Sequence, residues 1–273
     1  MRDLRDCPAS ALQQLHGVLS DIDDTLTTDG RLPAESYAAM ERIEDAGLMV
    51  IPITGRPAGW CDHIARMWPV HAVVGENGAF WFRYDRRERR MLRHFVAAPE
   101  LRREQAGRLQ AIAADILRAV PGAQVASDQR YRESDLAIDF CEDVPRLPER
   151  DVERIVGLMQ ERGLTVKVSS IHVNGWFGSF DKLSTTLHLL ADQFDAARQA
   201  VCAHYAFIGD SPNDEPMFGF FDCSVGVANI RDFPRMRTLP RYVTSGRGGS
   251  GFAEFADHLI RARARPRTDA RTI

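Results

Sequence analysis

An apolar run from Leu15 to Ser20 leads straight into Asp21-Ile22-Asp23-Asp24-Thr25. A short unbroken apolar segment that ends in carboxylates predicts a buried strand opening into an acidic loop. Pro33 to Asp45 follows, with Tyr37, Met40 and Ile43 on one face, a proline in the first turn and Gly47 just past the end, the punctuation of a helix. Leu48 to Ile53 predicts a second buried strand stopping at Thr54-Gly55-Arg56. A helix near Pro57 to Met67 and a third strand at Val70 to Val74 come next. Strands alternating with helices in this way predict a parallel sheet joined by right-handed crossovers.

Beyond Tyr84 the pattern changes. A basic run, Arg86 to Arg93, precedes a helix-like stretch from Glu100 to Val120 that ends at Pro121-Gly122. Alternating segments at Ser134 to Cys141 and Leu164 to Phe177 flank an amphipathic helix, Pro148 to Arg162. Two helices with several alternating strands suit a small open-faced α+β unit. From Asp181 the first pattern resumes: a helix to about Phe194, a strand at Ala203 to Ile208, a loop Gly209 to Pro216, a short strand at Cys223 to Val227 and a helix at Gly251 to Ala262. The expected organisation is an α/β core of residues 1–84 and 181–273 with residues 85–180 inserted as an α+β domain. The Arg-rich tail, Arg261 to Ile273, is expected to fray.

Composition narrows the class. Of 273 residues, 44% are hydrophobic and 27% charged, enough apolar material for a sizeable core, which excludes a disordered chain or a disulfide-stapled miniprotein. No segment approaches the ~18 consecutive apolar residues a membrane-spanning helix needs. The N-terminus carries Arg2, Asp3, Arg5 and Asp6 in place of a secretory apolar stretch, so a cytoplasmic location is expected. A net charge of -3 gives no field favouring nucleic acid or an anionic membrane. Cys7, Cys61, Cys141, Cys202 and Cys223 form none of the short pairs that bind zinc or act in redox chemistry, and read as buried or incidental thiols. Of 35 basic residues only Lys167 and Lys182 are lysines, the other 33 being arginines. So strong a preference for arginine points to a need for a compact ammonium where lysine is written.

Asp21 and Asp23, two apart in extended chain at the mouth of a strand, lean to one side of their loop. Open α/β sheets bind ligands at the carboxyl ends of their strands. A second apolar strand runs into Gly209-Asp210-Ser211-Pro212-Asn213-Asp214, and two such loops converging on one edge make an oxygen-rich site of the kind that suits Mg²⁺. Thr54, followed by Gly55, offers a hydroxyl and backbone N–H groups above a helix N-terminus. Lys182 heads the helix after the insert, where the helix dipole is unfavourable for a cation unless an anion lies near.

In order, these four pieces resemble the signature of the haloacid dehalogenase superfamily of phosphohydrolases: Asp21-Ile22-Asp23-Asp24-Thr25, Ile53-Thr54-Gly55-Arg56, Asp181-Lys182-Leu183 and Gly209-Asp210-Ser211-Pro212-Asn213-Asp214. They frame roughly residues 15 to 260. An insert between the threonine and lysine motifs is the subfamily IIB arrangement, and Glu76-Asn77-Gly78-Ala79 resembles a stretch common in Cof-like, sucrose-phosphate and mannosyl-phosphoglycerate phosphatases. Lys182-Leu183 departs from the Lys-Gly of many relatives.

The resemblance implies a Rossmann-like doubly wound core with an inserted cap that sets specificity. It also implies a phosphatase acting on a small phosphomonoester, such as a sugar phosphate or phosphorylated glycoside, with no nucleic-acid or membrane partner. In that family pattern Asp21 is the nucleophile and Asp23 the acid and base. Thr54, Gly55 and Lys182 hold the phosphate, and Mg²⁺ is bound by Asp21, the Asp23 backbone carbonyl, Asp210 and Asp214. Asn77, and His172 and Asn174 on the last cap strand, are candidate specificity residues. Arg130, Arg132 and Glu133 read as a surface turn, and Trp60, Trp68, Trp81 and Trp176 as core. The alternatives are a phosphomutase with the same motifs, a receiver-type phospho-acceptor, which needs neither the insert nor Asp23, and a non-catalytic binding relative.

Overall fold

The computed structural model describes residues 1–264, so the expectation for the tail falls mainly on residues 265–273, outside the described residues. The chain opens with β1 (Arg2–Asp3), α1 (Ala9–Gln13), β2 (Gly17–Ser20), α2 (Ala34–Asp45), β3 (Met49–Pro52), α3 (Ala58–Met67) and β4 (Val73–Gly75). Pro33 caps α2, which buries Ala39, Met40 and Ile43 along one face. The third strand begins later than Val70. It meets β3 through a single parallel bridge, Ile53 to Val74, and then pairs antiparallel with β5 (Phe80–Asp85), itself paired with β6 (Arg90–Phe95). The basic run Arg86 to Arg93 is therefore a hairpin turn and its outgoing arm. The hairpin is held from beneath by Phe80, Phe82 and Phe95, whose ring centroids lie 4.4 to 5.6 Å apart.

The insert comprises α4 (Pro99–Ala119), β7 (Gln124–Val125), β8 (Asp135–Asp139), α5 (Glu149–Glu161), β9 (Thr165–Val168) and β10 (His172–Trp176). Its antiparallel sheet has the order β7-β8-β10-β9. Leu164 to Phe177, expected as one alternating segment, is a hairpin broken at Ser169–Ile171, where the Ser169 hydroxyl accepts hydrogen bonds from the Ile171 and His172 amides. Alternation sorts this sheet cleanly. Leu136, Ile138, Val166, Val168 and Val173 face α4 and α5 in a separate apolar cluster, which leaves Asp135, Asp139, Lys167, His172 and Asn174 on the opposite face.

The chain returns through α6 (Lys182–Phe194), α7 (Arg198–His204), β11 (Tyr205–Gly209), α8 (Glu215–Phe220), β12 (Cys223–Gly226), β13 (Tyr242–Val243) and α9 (Gly248–Ala264). Helix α7 takes in Ala203 and His204, so β11 starts two residues beyond the expected strand. Helix α9 starts three residues before Gly251 and runs past Ala262. The main sheet is parallel throughout, in the order β1-β13-β12-β11-β2-β3. Alternate residues of β2, β3 and β11 enter two apolar clusters: Val18, Val50 and Ile208 on the α2/α9 side, Leu19, Ile51 and Phe207 on the α6 side. A parallel sheet covered on both faces is a Rossmann-like doubly wound core. Because β2 and β11 are adjacent, the two acidic loops leave the sheet side by side.

Candidate active site

Asp21 lies directly beyond β2, its amide donating to the Ile208 carbonyl at 2.9 Å. From the head of α6, the Lys182 ammonium donates to Asp21 Oδ1 at 2.6 Å and to Asp214 Oδ1 at 2.8 Å. Helix α6 is fixed there by a reciprocal cap, in which the Ser184 amide donates to the Asp181 carboxylate and the Ser184 hydroxyl accepts from the Asp181 amide. Its flank is pinned by Gly78, whose φ of +105° and contact with the Asp181 carbonyl leave no room for a Cβ. Gly209 is needed for a similar reason, since the Asp214 carboxylate lies where its Cβ would be. Asn229, which sequence reasoning did not single out, donates to Asp210 Oδ2 at 3.0 Å and to the Asp24 carbonyl at 2.9 Å.

Carboxylate oxygens of Asp21, Asp210 and Asp214 lie within 4.8 Å of one another, all three buried. Burial above all, with repulsion from Asp214 and Asp23 and against the pull of Lys182, pushes Asp21 up to about 8. Burial and the neighbouring Asp21 and Asp214 carboxylates push Asp210 well above the usual range. Burial opposes the charge of Lys182, but Asp21 and Asp214 outweigh it and raise the ammonium's pKa. Three carboxylates facing one ammonium can all ionise only where further positive charge is supplied, and such a hard oxygen donor set fits Mg²⁺.

The Asp23 side chain stands apart from this cluster. Arg56 Nε reaches both its oxygens, at 2.9 and 3.0 Å, and Nη2 approaches Oδ1 at 2.7 Å. The same guanidinium bonds Glu142 of the insert at 2.6 Å, and Glu142 pairs with His172 Nε2 at 2.9 Å. Thr54 is fully buried beyond β3, its hydroxyl accepting from the Arg56 amide at 3.0 Å. Asn77 takes a left-handed conformation, φ 55°, and its amide donates to the Thr54 carbonyl. Its side-chain Nδ2 is buried without a partner beside Gly55.

The turn holding Arg130, Arg132 and Glu133 corrects a sequence expectation. Arg132 is not a surface residue. Its buried guanidinium pairs with Asp128 and Asp135, each at 3.0 Å, and donates to the Gly55 carbonyl at 2.8 Å. Glu76 completes this junction by accepting from the amides of Ala58, Glu133 and Ser134. Burial, then Asp135, raises Glu76 to about 8 against the pull of Arg132 and those amides. Asp128-x₃-Arg132-x₂-Asp135 was the available signal, since an arginine flanked by two acids at that spacing is equipped to be buried. Among the tryptophans, Trp81 and Trp176 are core and Trp68 is half-buried, whereas Trp60 is 43% exposed with the Arg56 guanidinium over its ring.

Asn174 and His172 share the wall of a cavity of about 10 Å³ with Asp21, Asp23, Gly55, Arg56 and the Ser169–Ile171 turn. That is room for roughly one water. Beside it a cleft of about 970 Å³ opens between α5 and the core, with Asp24 and Asp210 among its lining.

Residues 18–99 match the family model of haloacid dehalogenase-like hydrolases. Phosphoglycolate phosphatase 1 of Saccharolobus solfataricus is 23% identical over 89% of this chain and 95% of its own length. The phosphoglycolate phosphatase of Methanothermobacter thermautotrophicus is 29% identical over 88% and 96%. Among solved structures, the sucrose-phosphatase of Synechocystis sp. PCC6803, in complex with sucrose and phosphate, shares the fold with a TM-score of 0.61 at 17% identity, covering 91% of this chain and 98% of that one. The fold places a buried cluster of carboxylates at the strand ends of an α/β core that carries an inserted α+β unit. Residues 18–99 thus carry the haloacid dehalogenase-like hydrolase pattern, and along most of its length the chain is similar to phosphatases.

Proposed function

We propose that the protein is a Mg²⁺-dependent phosphatase that hydrolyses a small phosphomonoester through an aspartyl-phosphate, with the inserted unit, which begins after β6 and so later than the expected residue 85, acting as the cap over its site. One observation carries the reading: Asp21, at the mouth of a central strand, shares a buried ammonium with Asp214 while Asp210 closes the cluster. The phosphatase names of relatives matched along nearly their whole length support it.

The carboxylates of Asp21, Asp210 and Asp214, with the Asp23 backbone carbonyl, would hold Mg²⁺. When bound, the ion offsets the repulsion between an anionic nucleophile and a phosphate dianion. An Asp21 oxygen attacks phosphorus in line, and its new bond forms as the bond to the leaving oxygen breaks. Asp23 gives that oxygen its proton and then takes one from water, whose oxygen attacks phosphorus to release phosphate and restore Asp21. Arg56 fixes the plane of the Asp23 carboxylate and has to yield one of its oxygens for the proton to move. The Lys182 ammonium has three donors and spends two on Asp21 and Asp214, leaving one for a phosphoryl oxygen beside the Thr54 hydroxyl and the Gly55 amide.

A panel of sugar phosphates, nucleotides and short phosphorylated acids, assayed for phosphate release with Mg²⁺ and with EDTA, tests the reading. Release restricted to the Mg²⁺ arm is expected. Full activity in EDTA after exhaustive dialysis overturns the metal role, and isomerisation of a hexose phosphate without net release replaces the phosphatase with a mutase.

A further inference from the structure

The core-facing side of the cap sheet is a polar surface roofing the site, and nearly every group on it is spoken for. Asp135 accepts from Arg132 and from Asn174 Nδ2 at 2.9 Å. Asp139 accepts from the amides of Cys141, Glu142 and Asp143. His172 pairs with Glu142, the Thr165 hydroxyl donates to the Gly178 carbonyl, and the Trp176 indole donates to the Phe180 carbonyl. Lys167 is the exception. It lies directly opposite Asn174 in the β9–β10 ladder and is half-buried. Among the described residues it has no hydrogen-bond or ion-pair partner.

Its position is specific. Side chains directly opposite in an antiparallel pair have Cβ atoms about 4.5 to 5.5 Å apart, and Asn174 lines the cavity that contains Asp21 and Asp23. Ser169, two residues further on and so on the same side of the chain, lines it as well. The other cations at this cavity are already committed, Arg56 to Asp23 and Glu142, Lys182 to Asp21 and Asp214. An ammonium without a carboxylate, paired in the ladder with a residue that lines a site crowded with carboxylates and written as lysine in a chain that otherwise writes arginine, is suited to an anion that arrives with the substrate.

We propose that Lys167 is a specificity residue that receives a carboxylate on the leaving group, so that the preferred substrates are short phosphorylated carboxylic acids. This rests on the phosphatase reading above. The leaving oxygen has to lie by Asp23, and the enclosed space there is small, so a carboxylate one or two carbons away falls under the cap sheet, within reach of the lysine's four-carbon stem.

The test compares phosphoglycolate with 2-hydroxyethyl phosphate, which has the same heavy-atom skeleton apart from the carboxylate, in the parent, Lys167→Met and Lys167→Arg. A hydrogen bond to a charged group supports a preference of about 10- to 100-fold. The parent is expected to favour phosphoglycolate by that factor, chiefly through KM. Lys167→Met is expected to erase the preference by raising KM for phosphoglycolate alone, with Lys167→Arg restoring part of it. Equal losses on both substrates, an unchanged ratio, or a parent without preference overturns the proposal while phosphate release continues. A parent that releases phosphate from neither substrate nor from any other phosphomonoester removes the phosphatase reading and this proposal with it.

Discussion

At the scale of single residues, the site is a problem of charge. Asp21, Asp210 and Asp214 share a buried volume with one ammonium, and burial drives Asp21 up to about 8. Asp21→Asn keeps the shape and removes both the proposed nucleophile and part of the buried repulsion. It is therefore expected to abolish phosphate release while the thermal midpoint stays level or rises; activity within about tenfold of the parent, only ~1.4 kcal/mol of barrier, would show that Asp21 is not the nucleophile. Lys182→Arg keeps the charge but brings a longer, planar fork to a site where both carboxylates are met by a compact tip. A loss of at least ~100-fold in kcat/KM, about 2.7 kcal/mol, is expected. A mild effect there would mean that the ammonium's size is irrelevant. These residues were legible in the sequence because each ends a strand or heads a helix. Arg56 stands within a legible motif, but its partners are not legible there, since Asp23 and Glu142 lie 33 and 86 residues away in sequence.

Among the elements, the parallel strands and the amphipathic helices were readable because burial on two faces leaves continuous apolar runs and burial on one leaves a helical period. What escaped were elements whose stability comes from elsewhere. Strands β1 and β13 are two residues each and exist by pairing with one another and with β12. The β5–β6 arm is rich in arginine, so its strand character rests on rings beneath it and on the ladder, which spacing does not reveal. The loop after β8 gains its meaning from Glu142. Burial alone would raise this carboxyl, but hydrogen bonds from His172 and Arg56, and the charge of Arg56, hold it at about 2. A carboxylate depressed from its ordinary 4.5 adds stability that is complete above pH 4.5 and is lost as pH falls through about 2. Glu142→Gln should therefore unfold at a lower temperature than the parent at pH 7, with the gap closing as pH drops toward 2. A gap independent of pH in calorimetric scans would show that the pair does not carry this linkage.

For the whole molecule, two buried junctions hold the cap against the core. One is Arg132 on the Gly55 carbonyl with Glu76 on the Glu133 and Ser134 amides; the other is Arg56 on Glu142. Both grip the segment that carries Thr54, so the position of the insert and that of the proposed phosphate site are coupled. Between them the cavity over Asp21 and Asp23 measures about 10 Å³, less than a phosphoryl group requires. A phosphoryl group over Asp21 and Asp23 would therefore require the Ser169–Ile171 turn, which separates this cavity from the neighbouring cleft, to move. Lid movements of this kind often limit turnover, and a step in which two domains separate through solvent slows with viscosity. Turnover of a good substrate is expected to fall as glycerol is added, roughly in proportion to relative viscosity. In Glu142→Gln, with one junction weakened, opening is faster, and the viscosity dependence of kcat should shrink while KM rises because the closed complex is held less well. A parent insensitive to viscosity, or a variant with the same slope as the parent, would place the slow step in chemistry and leave the cap junctions a purely structural role.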